Sequence, residues 1–423
     1  MAKENKVLAA MMAAMFFSYL PWYSFSAVSG AIANDLALTI NQMGIIMAVF
    51  QAGYVIMVIG VGFLSDRCGP WFILVAATFC TGLAAVLTPF LTHDFSTLLV
   101  FRLATGLGAG AIYVPGLAYL SEWFGPTSRG RAFGAYTAAL TASYAGGYFV
   151  AAPLAAAFSW RTGLLATALP AVAAGLMLLF LVPRKTPESS INFSSNSDEK
   201  SIPKFDVGTP ALLTAGYAGH MWELYAFWGW IGPFLGACFY GAGYSPASAI
   251  SHSGFWSSMI ILSGVVSSWA IGWLSDRFGR LKTIILTATL SLMAELVLGF
   301  TYGAPLSLVL AVGFFIGFWA VADSGIYKAA LVESVPDQLK STALGLQSAI
   351  GYLATIVSPL LFSFLLTLSN PGLNNPTEAT IWKWPFMALG LGALLAPLSI
   401  ICLNRKQSRK GPTNEERPKA PRR

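Results

Sequence analysis

Charged residues are scarce in this chain: they make up 10% of its 423 residues, against about 25% in an ordinary soluble domain. Hydrophobic residues reach 56% and fall in runs of roughly 20, the length that a helix needs to cross a bilayer. A helix also satisfies its own backbone groups in lipid. The shortage of charge excludes a large soluble domain and predicts an all-α polytopic protein with the lipid bilayer as its main partner.

Cysteine is rare as well, with four residues. Cys80 and Cys238 fall within apolar segments, while Cys68 and Cys402 lie near basic flanks on the side that we assign to the cytoplasm. We therefore expect no structural disulfide.

Motifs of the common enzyme classes are missing. The sequence contains no phosphate-binding glycine-rich loop with a lysine, no zinc-ligand spacing and no nucleophile–base pair in a soluble domain. We expect no enzyme activity, no cofactor, no bound metal and no ATP-hydrolysing module. The net charge of +7 is spread over alternate loops and the C-terminal tail, which argues against a nucleic-acid partner.

Twelve apolar segments are predicted. The first six cover 7–30, 41–63, 71–91, 97–120, 131–155 and 162–182, and the second six cover 209–239, 246–274, 281–302, 305–331, 341–368 and 381–403. They define two six-helix bundles, 1–182 and 209–403. A polar linker rich in serine and proline, 183–208, joins the bundles, and a basic tail, 404–423, follows them.

Lysine and arginine concentrate on one side of these segments, and only Arg161 and Lys383 fall on the other side. The positive-inside rule places both termini, the linker and the tail in the cytoplasm. An even number of spans also puts the termini on one side. We expect a multi-pass protein of a bacterial inner membrane.

One polar turn occurs twice. The sequence GFLSDRCG at 62–69 returns 210 positions later as GWLSDRFG at 272–279. A second pair of stretches, SEWFGPTSRGRAFG and VESVPDQLKSTALG, aligns at an offset of 210 or 211. Parallel repeats of this kind place a binding site between the two halves, near the bilayer midplane. The sequence thus predicts two pseudo-symmetric bundles.

These features resemble the major facilitator superfamily over essentially the whole chain. The resemblance implies a twelve-helix secondary transporter whose halves rock around a central site. In this family the loop between the second and third helices follows the pattern G-x-L-x-D-R-x-G-R-K. In this chain the second copy of the turn matches more of that pattern, and the first copy has Pro70 and Trp71 where basic residues are expected. The resemblance implies a cytoplasmic gate formed by Gly62, Asp66, Arg67, Gly69, Arg129, Arg131, Gly272, Asp276, Arg277, Gly279 and Arg280.

Two further stretches refine the resemblance. RLATGLG at 102–108 is similar to a pattern of proton-linked members, and HMWELY at 220–225 looks like transporters grouped with nitrate and organic-anion porters. Nitrate porters use an arginine on the second helix of each half. The segments 41–63 and 246–274 contain no arginine, which disfavours nitrate as the substrate.

Five charged residues fall inside apolar segments: Arg102, Glu223, Glu295, Asp323 and Lys328. Each costs about 2.5–3.5 kcal/mol at a helix centre and needs a partner, a cavity or a proton. Helical periodicity puts Glu223 on one face with Tyr217, His220 and Phe227, and Asp323 on one face with Trp319 and Tyr327. The predicted substrate or proton-coupling site comprises Glu223, His220, Asp323, Arg102, Tyr327 and Lys328.

Simpler interpretations of these charges remain open at this point. A Glu–His pair could merely hold two helices together, and Arg102 could have a structural partner. Lys328 should point away from Asp323 and could extend to the interface instead. The resemblance places the helix of Glu295 in the outer ring, so a structural or headgroup position is expected for it.

The resemblance also implies that the first, fourth, seventh and tenth segments line a central cavity. Aromatic residues there are the candidate wall: Tyr19, Trp22, Tyr23, Tyr113, Tyr217, Phe227 and Trp319. We expect a monomer that moves a small organic anion coupled to protons. A cation or metal-ion porter is an alternative because Glu223, Asp323 and His220 are suitable ligands. A transporter-like sensor or scaffold that no longer transports is another, motivated by the degenerate first turn and the basic tail.

Overall fold

The computed structural model describes residues 2–184, 205–336 and 339–410, and every regular element in these ranges is helical. The first half contains α1 (Ala2–Ala27), α2 (Ser29–Asp35), α3 (Ile40–Cys68), α4 (Pro70–Leu91), α5 (Phe95–Gly110), α6 (Tyr113–Trp123), α7 (Pro126–Ala157) and α8 (Trp160–Leu181). The second half contains α9 (Gly208–Gly241), α10 (Pro246–Phe278), α11 (Arg280–Leu298), α12 (Leu306–Trp319), α13 (Ser324–Ser334), α14 (Lys340–Ser369), α15 (Lys383–Ala393) and α16 (Leu395–Lys410). Two short 3₁₀ turns cover Gly299–Thr301 and Pro376–Glu378.

Each of the twelve predicted segments coincides with a helical stretch. Within the described residues, ten stretches are long and apolar enough to cross a membrane by length and composition. The other two, α7 and α9, have 32 and 34 residues and are also long enough to cross. Polar side chains such as His220 and Glu223 on α9 reduce its apolar character.

The predicted linker and tail lie mostly outside the described residues, which omit 185–204 and 411–423. At the tail, α16 continues to Lys410, seven residues into the segment 404–423. The Nζ atom of Lys406 lies 2.7 Å from Oδ1 of Asp206, so the end of α16 is tied to the residues that precede α9.

The duplicated turn has the same backbone geometry in both copies. Gly69 has φ 85° and ψ 142°, and Gly279 has φ 89° and ψ 147°. Residues with a side chain rarely adopt such angles, whereas glycine does so readily. Each glycine lies between one helix and the next, so most of the polar stretch is the last turn of α3 or α10. The sequence repeat is therefore also a structural repeat.

Two predicted segments are not continuous helices. The segment 97–120 divides between Gly110 and Tyr113, and the segment 305–331 divides between Trp319 and Ser324. The two breaks fall at equivalent places in the repeat. In the first, a Cβ on Gly110 would collide with the backbone oxygen of Tyr54 on α3. Close packing against α3 therefore requires glycine at this position, and glycine lowers the stability of a helix.

The halves meet through two helix pairs, α3 with α14 and α7 with α10. In the sequence repeat α3 corresponds to α10 and α7 corresponds to α14, so each of these helix pairs is the repeat-related copy of the other. We call the end of the bundle that carries Gly69 and Gly279 the basic end, and the other the opposite end.

The halves are in close contact at the opposite end. A Cβ on Gly44 would collide with Ser363, and one on Gly254 would collide with Ala152. A hydrogen bond of 2.9 Å from Asn375 Nδ2 to Asn34 Oδ1 also joins the halves there. At the basic end, by contrast, nothing lies within 4 Å of a Cβ placed on Gly62 or Gly272.

Candidate functional site

The break between α12 and α13 brings Asp323 and Ser324 to His220 on α9. His220 Nδ1 lies 2.9 Å from Asp323 Oδ1, and its Nε2 lies 2.6 Å from the Ser324 hydroxyl. The His220 and Asp323 side chains are 2% and 3% exposed. Two residues predicted for the site are thus adjacent and nearly dry. The charge of this pair depends on whether the imidazole is protonated.

Glu223 lies one helical turn beyond His220 and is 2% exposed. Its carboxyl group lies close to Ser291 on α11 and to Asp323. The Oε1 atom of Glu223 has no partner among the described residues. Glu223, Asp323 and His220 therefore form one buried polar group.

Of the two positions expected for Glu295, the one near the headgroups is wrong, and the structural one agrees with its burial. Glu295 is completely buried, and neither carboxyl oxygen has a hydrogen-bond partner within the described residues. It interacts electrostatically with Glu223. Its place on an outer-ring helix suggested a peripheral position, but the face it occupies points toward α9.

Lys328 faces the interior rather than extending to the membrane interface. Tyr217 of α9, Tyr113 of α6 and Tyr352 of α14 lie near its ammonium, so its surroundings come from both halves. The side chain is half-buried. As predicted, its position five residues after Asp323 turns it toward different neighbours.

Tyr327 packs against two aromatic side chains of α9, His220 and Tyr217. Its ring centroid lies 5.9 Å from that of His220 and 6.0 Å from that of Tyr217. It is fully buried, and its hydroxyl has no partner among the described residues.

An aromatic cluster fills the centre of the molecule and crosses between the halves. Trp22 is its hub, with ring centroids 4.7 Å from Tyr54, 5.1 Å from Tyr144 and 6.0 Å from Tyr225. The members of the aromatic cluster are Tyr19, Trp22, Tyr23, Phe50, Tyr54, Tyr144, Tyr148, Tyr225, Trp228 and Tyr352.

Several donors in the aromatic cluster are unpaired. Within the described residues, the hydroxyls of Tyr23 and Tyr144 and the indole N–H of Trp228 are buried without a partner. An unsatisfied buried polar group costs about 1–3 kcal/mol. A ligand or water placed here would remove that cost.

The predicted wall residues fall in different places. Tyr19, Trp22 and Tyr23 belong to the aromatic cluster, and Tyr113 and Tyr217 lie beside Lys328. Phe227 is fully buried. Trp319 packs against Phe318 of its own helix, with centroids 5.2 Å apart.

Arg102 lies against α1 rather than with the other predicted site residues. Its guanidinium donates to the backbone oxygens of Pro21 at 3.3 Å and Trp22 at 3.4 Å, and it stacks over Phe50 and Phe25 at 4.3 and 4.7 Å. These contacts are those of a residue that holds α5 to α1.

The two copies of the gate motif differ in the contacts that are described. In the second, Arg280 bonds Asp276 Oδ1 at 2.5 Å and Glu333 Oε1 at 3.2 Å. Both acids belong to the same half, so this network ties the α10–α11 turn to α13. Arg277 lies 3.9 Å from the Trp273 ring.

In the first copy, the side chain of Asp66 lies outside the described residues, and Arg67 lies 4.1 Å from the Phe63 ring. Arg129 donates to Ser121 O at 3.1 Å, while Arg131 is exposed. Arg129 thus gives a hydrogen-bond partner to a backbone oxygen in the last turn of α6.

Residues on the second, fifth and eleventh segments were missed. Tyr54, Tyr144 and Tyr352 contribute to the aromatic cluster, although only the first, fourth, seventh and tenth segments were expected to do so. The four-residue spacing of Tyr144 and Tyr148 put both on one face and was a usable signal. The described residues contain no group of three or more His, Cys, Asp or Glu placed to hold a metal ion.

Comparison with known proteins identifies relatives over nearly the whole chain. A gentisate transporter of Corynebacterium glutamicum is 24% identical over 419 residues, covering 96% of this chain and 89% of that protein. A 3-(3-hydroxy-phenyl)propionate transporter of Escherichia coli is 28% identical over 396 residues, covering 91% and 90%. A probable sulfoacetate transporter of Cupriavidus necator is 24% identical and covers 92% of each chain.

Solved structures share the fold. A bacterial homologue of the human lysosomal transporter Spinster, in an inward-facing conformation, superposes with a TM-score of 0.80 at 15% identity, covering 97% of this chain and 99% of that one. A D-xylose–proton symporter gives a TM-score of 0.71 at 17% identity, covering 91% and 96%. The family model described as Major Facilitator Superfamily matches residues 11–251 and 224–423. The predicted twelve-helix fold is confirmed, and the chain belongs to the Major Facilitator Superfamily.

Proposed function

We propose that this chain is a proton-coupled secondary transporter of a small organic anion, and that aromatic carboxylates are the substrate class that suits it best. The observation that carries the proposal is the position of Lys328, whose ammonium lies near tyrosines from both halves. An ammonium and tyrosine hydroxyls are donors that a carboxylate accepts. Because both halves contribute, a bound anion would respond to their relative movement.

The organic part of the substrate would lie against the aromatic cluster. Tyr225 and Tyr352 link Trp22 to the group around Lys328. Offset or edge-on contacts between aromatic rings contribute about 0.5–1.5 kcal/mol beyond their buried area. Two of the relatives are named for aromatic acids, gentisate and 3-(3-hydroxy-phenyl)propionate, which supports this substrate class.

Protons would bind at Glu223, Asp323 and His220. The three side chains are buried, and burying their charges without compensation is unfavourable. Acidic and imidazole side chains in membrane helices commonly relay protons. A proton on this group would change the charge beside Tyr217 and Tyr327, whose rings lie against His220, and Tyr217 also lies near Lys328.

The membrane arrangement follows from the charge distribution. The basic end, both termini, the linker 183–208 and the tail 404–423 would face the cytoplasm of a bacterial cell. Contact between the halves at the opposite end would then make this conformation cytoplasm-facing. The chain would act as a monomer, with the bundles 1–182 and 209–403 as its moving parts.

Uptake of gentisate by purified protein in liposomes, with and without a pH gradient, tests the proposal. We expect accumulation only with the gradient, and its loss in the double variant Glu223→Gln, Asp323→Asn. Uptake that ignores both the gradient and the double variant would contradict the proton site.

Thermal stabilisation by a panel of aromatic carboxylates, inorganic anions and metal cations tests the substrate class. Carboxylates should stabilise the protein most; stabilisation by metal cations alone would favour the cation porter. Removal of residues 404–423 should leave uptake intact, whereas a scaffold would lose its role.

A further inference from the structure

The inner face of α11 carries four polar residues at intervals of four: Thr283, Thr287, Ser291 and Glu295. All are buried, between 0% and 2% exposed. At 1.5 Å of rise per residue, consecutive members are about 6 Å apart along the helix axis. They form a line from the basic end to the buried carboxyl group of Glu295, which we call the hydroxyl ladder.

Glu295 ends the hydroxyl ladder without a hydrogen-bond partner for either oxygen within the described residues. Ser291, its neighbour on the ladder, lies close to Glu223 of α9, and the carboxyl groups of Glu223 and Glu295 lie near each other. Two adjacent carboxyls in a dry site cannot both be ionised without a large cost. Such a pair keeps at least one proton.

A cavity of about 420 Å³ lies at the basic end, beside the first turn of α11. Leu281 of α11, Leu213 of α9 and Ala330 of α13 line it together with Arg280 and Glu333. Thr283 lies two residues beyond Leu281. This cavity lies within the second half, apart from the aromatic cluster.

The ladder hydroxyls can relay a proton. Thr283 donates to Gly279 O at 3.0 Å, Thr287 to Thr283 O at 3.0 Å and Ser291 to Ala288 O at 3.3 Å. Each hydroxyl oxygen keeps acceptor capacity. By rotating, each can accept a proton from one side and release its own to the other, with water bridging the 6 Å intervals.

Resting on the proton coupling proposed above, we infer that Glu295 is a second proton-binding carboxyl and that the hydroxyl ladder connects it to water at the basic end, separately from the substrate cavity. The O–H bond of Glu295 breaks as the Ser291 oxygen, directly or through a bridging water, gains the proton and releases its own toward Thr283; Glu295 is then a carboxylate until a proton returns. A proton that leaves passes from Ser291 toward Thr283 and the cavity.

Other titratable groups around Glu295 are few. On α9 and α13, Glu223 is flanked by Asp323, His220 and Tyr327. At the start of α15, the backbone of Lys383 lies beside Gly299, but its ammonium lies over the Trp384 ring at 5.0 Å.

Most titratable groups of the remaining helices packed on α11 lie at its basic end: Asp276 and Arg277 on α10, Glu333 on α13, and Arg405 and Lys406 on α16. Lys328 lies in the interior part of α13, His252 lies near the opposite end of α10, and α12 has no titratable residue. Glu223 is the group that acts on Glu295.

Gentisate transport by the full chain in liposomes tests the inference, with gradient-driven accumulation compared with counterflow at equal pH. Counterflow needs no net proton movement. Glu295→Gln should abolish accumulation and retain counterflow, and Thr287→Val should slow accumulation about tenfold or more. Thr167→Val is the matched control, because Thr167 is equally buried and donates to Leu164 O at 2.8 Å on α8; it should behave as the unaltered protein.

Full accumulation by Glu295→Gln would overturn the inference while leaving the proposed function intact. If Glu295→Gln loses counterflow as well, Thr287→Val decides: a selective loss of accumulation supports the hydroxyl ladder, and a result equal to Thr167→Val overturns it. Absence of gradient-driven uptake in the unaltered protein would instead contradict the proposed function itself.

Discussion

His220 and Asp323 are joined across a helix break, with 2.9 Å between Nδ1 and Oδ1 in a site where both side chains are almost fully buried. Asp323 precedes the first residue of α13, and no side-chain hydrogen bond caps that helix. The carboxylate is therefore free to face α9. A buried pair of this kind is held in place by its partner, because either charge alone would be costly.

Asp323→Asn should remove proton dependence from transport. The amide cannot take up a proton, so gradient-driven uptake should fall at least about tenfold, equivalent to about 1.4 kcal/mol, while counterflow continues. His220→Gln tests the partner in the same way. Uptake by both variants that still follows the pH gradient would show that the pair has a structural role only.

Lys328→Met should weaken carboxylate binding about 10- to 150-fold, since a hydrogen bond to a charged group contributes about 1.5–3 kcal/mol. Isothermal titration with gentisate measures it, and Lys328→Arg should keep part of the affinity. Lys383→Met is the control, because that ammonium lies over Trp384. Equal affinities of Lys328→Met and the unaltered protein would exclude Lys328 from the binding site.

Arg102→Met should destabilise the protein rather than impair binding. It removes the bonds to Pro21 O and Trp22 O, at a cost of about 1–3 kcal/mol. Thermal unfolding in detergent should begin at a lower temperature, with gentisate affinity unchanged, and Arg102→Lys should be intermediate. Lost affinity at unchanged thermal stability would restore Arg102 to the binding site.

Gly254→Val should separate the halves at the opposite end, because a Cβ there collides with Ala152. A cysteine replacing Asn375 should then react faster with a membrane-impermeant thiol reagent applied from that end. Gly60→Ala is the control, since nothing lies within 4 Å of its Cβ, and it should not change the labelling rate. Equal labelling in both variants would mean that other contacts keep that end closed.

The sequence predicted the spans because insertion in a bilayer depends on the apolar length of each segment by itself. The duplicated turn was also readable, since Gly69 and Gly279 adopt angles that glycine tolerates best. His220, Glu223 and Asp323 could be singled out because ionisable residues in apolar helices are rare; the structure places them close together, and their role stays a prediction.

Tertiary packing decided which way the ambiguous charges face. Glu295 and Lys328 could each have pointed outward by helical periodicity, which gives the angle between side chains but not the neighbour on each face. Their partners come from distant parts of the chain: Glu223 for Glu295, and Tyr113 and Tyr352 for Lys328. The sequence by itself determined how many helices cross and where they turn, and only the packed bundle decided which charges share a dry interior, because that depends on contacts between segments far apart in the sequence.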